Sequence, residues 1–421
     1  MGLQDLLVVA VFVVAYGLVS GRLEGTPVTP PMLFVGFGLL AGPPALGLVE
    51  LDLDNEAVRV LAEATLVLVL FTDAARIDLR VLRREYHLPA RLLGIGLPLT
   101  VLAGTLAAVV LFDGLELWEA AVLAAVLAPT DAALGQVVVT SPEVPLRVRQ
   151  GLNVESGLND GIALPAVTVL VAAAASAEDL GGPGSWGVFA AEQVGYGVLV
   201  GVLVGTAGGR LIDAAARRGW MSEAFRQVAT LAVAAAAYAL SETVGGNGFI
   251  AAFTAGLAFG TVARGICQGV YDFTEEEGQL LTLLTFLVFG AAVVGPRLDE
   301  LTWQVAAYAV LSLTVVRMLP VALSLLGSRL RADTVLFLGW FGPRGLASIL
   351  FGLLVVEESG VAGADTIFLV MGWTVLLSVL AHGVTAAPLA RRYARRIAAH
   401  RVSRPAMPEV GPATHIRTRT G

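Results

Sequence analysis

The stretch GLNVESGLNDGIALP, residues 151–165, sets Glu155, Ser156, Asn159 and Asp160 inside a long apolar run. A second apolar run, 117–139, carries Pro129, Thr130 and Asp131 near its middle. Arg317, in LTVVRMLPVAL, and Arg344, in FLGWFGPRGLASILF, are likewise surrounded by apolar residues. Carboxylate, hydroxyl, amide and freed backbone oxygens together suit a hard monovalent cation, and a buried carboxylate also suits a proton. In a membrane interior each of the ionisable groups Asp131, Glu155, Asp160, Arg317 and Arg344 costs about 2.5–3.5 kcal/mol on insertion scales, so such groups pair with one another or line an ion path. A purely structural set of paired charges is the plain alternative.

Spacing sharpens the first reading. Ser156 and Asp160 stand four apart, as do Glu155 and Asn159, so one broad helix face carries all of them. At 1.5 Å per residue they lie about 12–20 Å from the cytoplasmic end of their run, near a membrane midplane. Pro129 removes a backbone donor mid-span, which predicts a break with free carbonyls beside Thr130 and Asp131. If the 155–160 face meets that break, oxygens from both helices converge on one point. Gly342, Pro343 and Gly345 bracket Arg344 and predict a second break. Where half-helix ends face each other, Asp131 would compensate positive ends and Arg344 negative ones.

The elements that must position these residues are membrane helices. The chain has 421 residues, 56% hydrophobic and only 14% charged, with a mean hydropathy of +0.79, the profile of an all-α polytopic membrane protein. The apolar runs are too long and too evenly apolar for barrel strands. They predict about thirteen transmembrane helices: 3–20, 31–48, 56–72, 89–112, 117–139, 147–176, 186–209, 223–241, 247–263, 276–295, 302–327, 332–356 and 364–390. The first lacks a basic leader and reads as a retained helix. All 27 basic residues are arginine, and alternate connections concentrate them: Arg76, Arg80, Arg83, Arg84 and Arg91; Arg147 and Arg149; Arg210, Arg217, Arg218 and Arg226; Arg264; Arg329 and Arg331; and the run ARRYARRIAAHR. The intervening connections are mostly acidic, with Glu50, Asp52, Asp54 and Glu56, then Asp113 and Glu116, then Glu178 and Asp179, then Glu357, Glu358 and Asp365. That alternation predicts an outside N-terminus and a cytoplasmic C-terminus in the cell (inner) membrane.

The runs at 117–139 and 332–356 are each fifth in a group of six, 1–6 and 8–13, with the seventh as connector. The two groups have opposite orientation, which predicts two inverted-topology six-helix repeats with two interrupted crossing helices. On these residues the chain resembles the cation/proton antiporters of the NhaP and Na+/H+ exchanger type, through FTDAARIDL, APTDAA, ESGLND, GNGFIAAFTAGLAFG and FGPRG in that order. The resemblance implies that Asp160 binds the cation or the proton, with Thr130, Asp131, Ser156 and Asn159 around the ion. It implies that Glu155 is held by a buried arginine, for which Arg317 is the first and Arg344 the second candidate. It also implies a scaffold and dimerisation domain at 1–85 and 219–299, a six-helix ion-translocation core at 86–182 and 300–391, a connecting helix at 183–218, a short basic tail at 392–421 and a homodimer. The Asn159–Asp160 pair implies electroneutral one-for-one exchange, since an amide in place of a second carboxylate removes one exchangeable proton.

A buried carboxylate that holds either a proton or a cation makes the two exclude each other, and carrying them alternately needs no ATP. No Walker loop is present, and no cofactor or nucleic-acid partner is expected beyond Na+ (or Li+ or K+), H+ and the lipid bilayer. A cation channel would instead conduct. An intramembrane aspartyl protease would have Asp131 and Asp160 share a proton, which arginines beside the pair disfavour. Cys267 is the single cysteine, so no intramolecular disulfide forms. His87 reads as a loop residue, His382 as a packed or hydrogen-bonded one, and Glu275 to Glu277 as a solvated helix start.

Overall fold

The computed structural model describes residues 3–23, 26–49, 56–77, 87–131, 133–179, 183–263, 268–357, 361–403 and 407–410. The acidic connection at 50–55, Arg80, Arg83, Arg84, Arg264, Cys267, Glu358 and the stretch after 410 lie outside the described residues. Every predicted segment contains helix. In chain order these are α1 Leu3–Leu23, α2 Pro30–Ala41, α3 Glu56–Ala75, α4 His87–Leu111 with a π-helical turn at Leu92–Gly96, then α5 Leu117–Val126, α6 Gln136–Thr140, α7 Leu146–Asp179, α8 Pro183–Arg217, α9 Glu223–Thr243, α10 Gly248–Val262 and α11 Gln268–Val288. There follow α12 Trp303–Ser324, α13 Ala332–Trp340, α14 Leu346–Glu357 and α15 Ala364–Ser403. Among the described residues eight helices are long and apolar enough to cross a membrane. Two of the shorter apolar helices, α5 and α14, each adjoin an interruption.

Local sequence explains the boundaries. Pro30 and Pro31 open α2, where a missing N–H costs nothing. Ser222, Asn247 and Thr302 cap α9, α10 and α12, each accepting a backbone N–H three residues on. Glu116 and Glu119 form a reciprocal capping box at α5, and Glu119 also accepts the N–H of Gly363, tying the turn before α15 to the start of α5.

Several boundaries depart from expectation. The predicted 276–295 helix already begins at Gln268, so Glu275 to Glu277 lie within α11 rather than at its start. The predicted 364–390 helix runs on to Ser403, so part of the expected tail is helical. Ala and Arg are strong helix formers, and Tyr393, Ala394 and Ile397 bury one face of that extension. α12 is kinked at Thr314 (φ −112°, ψ −95°), and Pro320 within it cannot donate to the carbonyl four residues back.

The apolar interior has two parts. One joins residues of α2, α3, α5, α7, α10, α11, α14 and α15. The other gathers Leu88, Leu92, Val138, Val148, Leu152, Val321, Phe337, Phe341, Ala390, Tyr393, Ile397 and Met407, from 86–182, 300–391, the α15 extension and the returning stretch 407–410.

Candidate functional site

Both predicted breaks exist. The first separates α5 from α6 across 127–135, and the second separates α13 from α14 across 341–345. They cross in direct contact, the Asp131 N–H donating to the Pro343 carbonyl at 2.8 Å. Interrupting a helix in hydrocarbon leaves carbonyls at one end and N–H groups at the other without partners, and the side chains at the crossing answer both needs. Arg344, fully buried, donates from Nη1 to the carbonyls of Ala128 at 2.6 Å and Pro129 at 3.2 Å, beyond the end of α5. Asp131 Oδ2 accepts the N–H of Leu346 at the start of α14 at 2.8 Å, and Oδ1 accepts that of Ala133 at 2.7 Å. Cation at a C-terminal end and anion at an N-terminal end is the arrangement the helix dipole favours.

Two glycines permit this approach. A Cβ on Gly345 would overlap Asp131 Oδ2, and one on Gly342 would overlap Arg317 Nε. The FGPRG stretch is therefore as thin as it is because charged side chains lie against its backbone.

The α7 face meets the first break at Thr130. Thr130 Oγ1 and Ser156 Oγ share a hydrogen bond at 3.1 Å. Asn159 Nδ2 donates to Thr130 Oγ1 at 2.6 Å and to the Thr130 carbonyl at 3.3 Å. The carbonyl demands a donor and so assigns the amide orientation. Asn159 Oδ1 is then an acceptor with no hydrogen-bond partner among the described residues. Asp160 follows on α7 and is half-buried. One turn earlier, Glu155 and Arg317, each 2% exposed, form an ion pair at 2.6 Å. Glu155 thus meets Arg317, while Arg344 holds the α5 carbonyls. Among the described residues no group of three or more His, Cys, Asp or Glu is placed to hold a metal ion. Oxygen donors of mixed type, with few formal charges, fit a monovalent cation as cargo instead.

The profile described as "Sodium/hydrogen exchanger, transmembrane" matches residues 7–392. The chain belongs to this exchanger family. Among its relatives, the K(+)/H(+) antiporter NhaP of Alkalimonas amylolytica is 29% identical over 380 residues, covering 89% of this chain and 63% of that protein. An uncharacterized Na(+)/H(+) exchanger of Mycobacterium tuberculosis is 30% identical over 439 residues, covering 94% of this chain and 76% of that one. The exchanger chain thus spans about 63% of the length of the first of these relatives. The structure of the sodium proton antiporter MjNhaP1 from Methanocaldococcus jannaschii superimposes with a TM-score of 0.75 at 20% identity, over 93% of this chain and 98% of that one, which establishes the shared fold.

Sequence reading did not single out two polar residues around this exchanger's site, nor a third at the far end of α13. Ser378 on α15 accepts the Arg344 N–H, Tyr308 on α12 donates its hydroxyl to the Gly104 carbonyl, and Glu409 reaches the start of α13. Ser378 and Tyr308 look like ordinary members of apolar helices, and Glu409 lies outside every predicted span.

Proposed function

We propose that the protein is a secondary-active antiporter that exchanges Na+ (or Li+) for H+, one for one, with cation and proton competing for Asp160. The observation that carries this reading is the convergence of Thr130, Ser156 and Asn159 where two interrupted helices cross, with Asp160 as the next residue on α7. Thr130, Ser156, the free oxygen of Asn159 and a carboxylate of Asp160 supply the oxygens for a cation. Asp131 contributes from the far side of the break, where each of its oxygens accepts one N–H. Binding the cation requires an ionised Asp160, and protonating Asp160 removes the charge that holds the cation.

Glu155 and Arg317 neutralise each other and fix α7 against α12, so neither is transported charge. Residues 86–182 and 300–391 form the moving core, and 1–85 with 219–299 form the scaffold through which two copies pair. A small cavity of about 60 Å³ supports that division. One wall is Ala133 and Leu134 of the first break with Gln136 and Val137 of α6, and the other is Thr29 and Pro30 at the start of α2 with Thr282 and Leu283 of α11. On this reading the protein lies in the inner membrane with its N-terminus outside, and the cavity is on the cytoplasmic side. A K+/H+ exchange is the second reading, favoured by relatives named K(+)/H(+) antiporters.

The test uses proteoliposomes with an imposed pH gradient and a pH-reporting dye. Na+, Li+ and K+ are added in turn, with membrane potential free or clamped. Cation-induced collapse of the gradient, unchanged by clamping and abolished by Asp160→Asn, is the expected result and names the ion. Conductance without coupled proton movement would overturn the proposal in favour of a channel.

A further inference from the structure

The exchange scheme makes no use of a buried histidine. His382 on α15 is 1% exposed, with its ring stacked on Trp340, centroids 5.0 Å apart and planes 28° apart. Nε2 is 2.9 Å from the carbonyl of Trp340, the last residue of α13. Nδ1 is 3.3 Å from Ser378 Oγ and 3.0 Å from the Ser378 carbonyl. Ser378 Oγ in turn accepts the Arg344 N–H at 2.8 Å. One turn of α15 therefore grips both edges of the second break.

We propose that His382 is a positioning residue of the ion site. As a neutral imidazole it donates Nε2–H to the Trp340 carbonyl and accepts the Ser378 hydroxyl at Nδ1. The Trp340 carbonyl accepts the Gly342 N–H at 2.9 Å and has a second lone pair in a water-free interior, and Nε2 is the ring atom that faces it. With the proton there, Nδ1 is an acceptor. The Ser378 oxygen already receives the Arg344 N–H, so the hydroxyl proton is free to point to Nδ1. The bonds then run in one sense, from Arg344 N–H through Ser378 and His382 to Trp340. A second ring proton would turn to the Ser378 carbonyl and take that acceptor from the hydroxyl. The consequence reaches the first break, because the Arg344 backbone held by Ser378 sets where its guanidinium meets Ala128 and Pro129, immediately before Thr130 and Asp131.

The transport arm of the test rests on the antiport reading, and the second arm does not. His382→Gln keeps an amide donor within reach of Trp340, His382→Asn is too short to reach it, and His382→Phe keeps the stacking but donates nothing. In proteoliposomes the Gln variant is expected to keep the apparent cation KM within about twofold and the pH profile unchanged. The Asn and Phe variants raise that KM by up to about tenfold, the scale of one hydrogen bond, with a smaller effect on maximal rate. Backbone hydrogen exchange across 341–346, read on the same purified proteins without any transport, should stay slow in the parent and Gln variant and quicken in the other two. Equal loss in Gln and Phe, no loss in Phe, or a pH profile shifted by Gln would each overturn the proposal. A parent protein that moves no cation yet shows the expected exchange pattern would sink the antiport reading and leave this one standing. If His382→Phe does not fold, Ser378→Ala must raise the cation KM and quicken exchange at Arg344, and an unchanged result overturns the proposal.

Discussion

At the residue scale the buried ion pair separates what holds the site from what binds in it. Glu155 and Arg317 are both removed from water and meet at 2.6 Å, and removing one partner leaves an uncompensated charge in the interior, a loss of about 3–5 kcal/mol. Glu155→Gln or Arg317→Met alone should therefore lower the detergent melting temperature markedly. The double change Glu155→Leu with Arg317→Met should recover most of that stability. Asp160→Asn, by contrast, should leave melting nearly unchanged while cation exchange falls to the level of empty liposomes. If the single changes at 155 or 317 left stability intact, the pair would not be the prop described here. The sequence placed both partners in apolar surroundings but left two arginines open for Glu155. Only the kink at Thr314 and the crossing of the breaks decide which one arrives, and neither has a local signature.

At the element scale the interrupted helices were legible because their signals are backbone chemistry. Pro129 lacks a donor and Gly342-Pro343-Arg344-Gly345 cannot continue a helix, and those facts hold wherever the segment packs. Helix ends outside the apolar band were less legible. The start of α11 at Gln268 and the end of α15 at Ser403 are charged stretches that hydropathy assigns to loops. Two predictions belong here. Gly345→Ala puts a methyl group against Asp131 Oδ2 and should break the Asp131 bond to Leu346, so cation exchange falls at least tenfold, read in the proteoliposome assay. Gly157, where an added Cβ meets nothing, serves as the tolerant control. At the other end of the same interrupted helix, Glu409 is buried, and its Oε1 accepts the Arg331 N–H at 2.8 Å and the Thr334 hydroxyl at 3.1 Å. Glu409→Ala removes a cap from α13 and should cost about 1 kcal/mol, visible as a lower melting temperature.

At the scale of the whole molecule the question is which surface separates moving from fixed parts. The second apolar cluster draws on 86–182, 300–391, Tyr393 and Ile397 of the α15 extension and the returning stretch 407–410, with no residue of α2, α3, α10 or α11, while the larger cluster joins both groups. The cavity between Gln136 and Val137 on one wall and Thr282 and Leu283 on the other lies on the seam between the two groups. In a core that moves against its scaffold, such a seam widens on one side of the membrane as it closes on the other. In a Cys267→Ser background, Gln136→Cys should react with a membrane-impermeant thiol reagent from the cytoplasmic side, and the modified protein should cease exchanging cations. Exposed Gln279→Cys on α11, across the seam, should react at least as fast. The discriminating comparison is the dependence on ligand. A gradient that drives the proposed core outward should slow modification at 136 and leave that at 279 nearly unchanged, because the proposed division assigns only the first residue to the core. Equal slowing at both positions would mean that the reagent reports general access, and labelling at 136 without loss of exchange would take the cavity off the ion path.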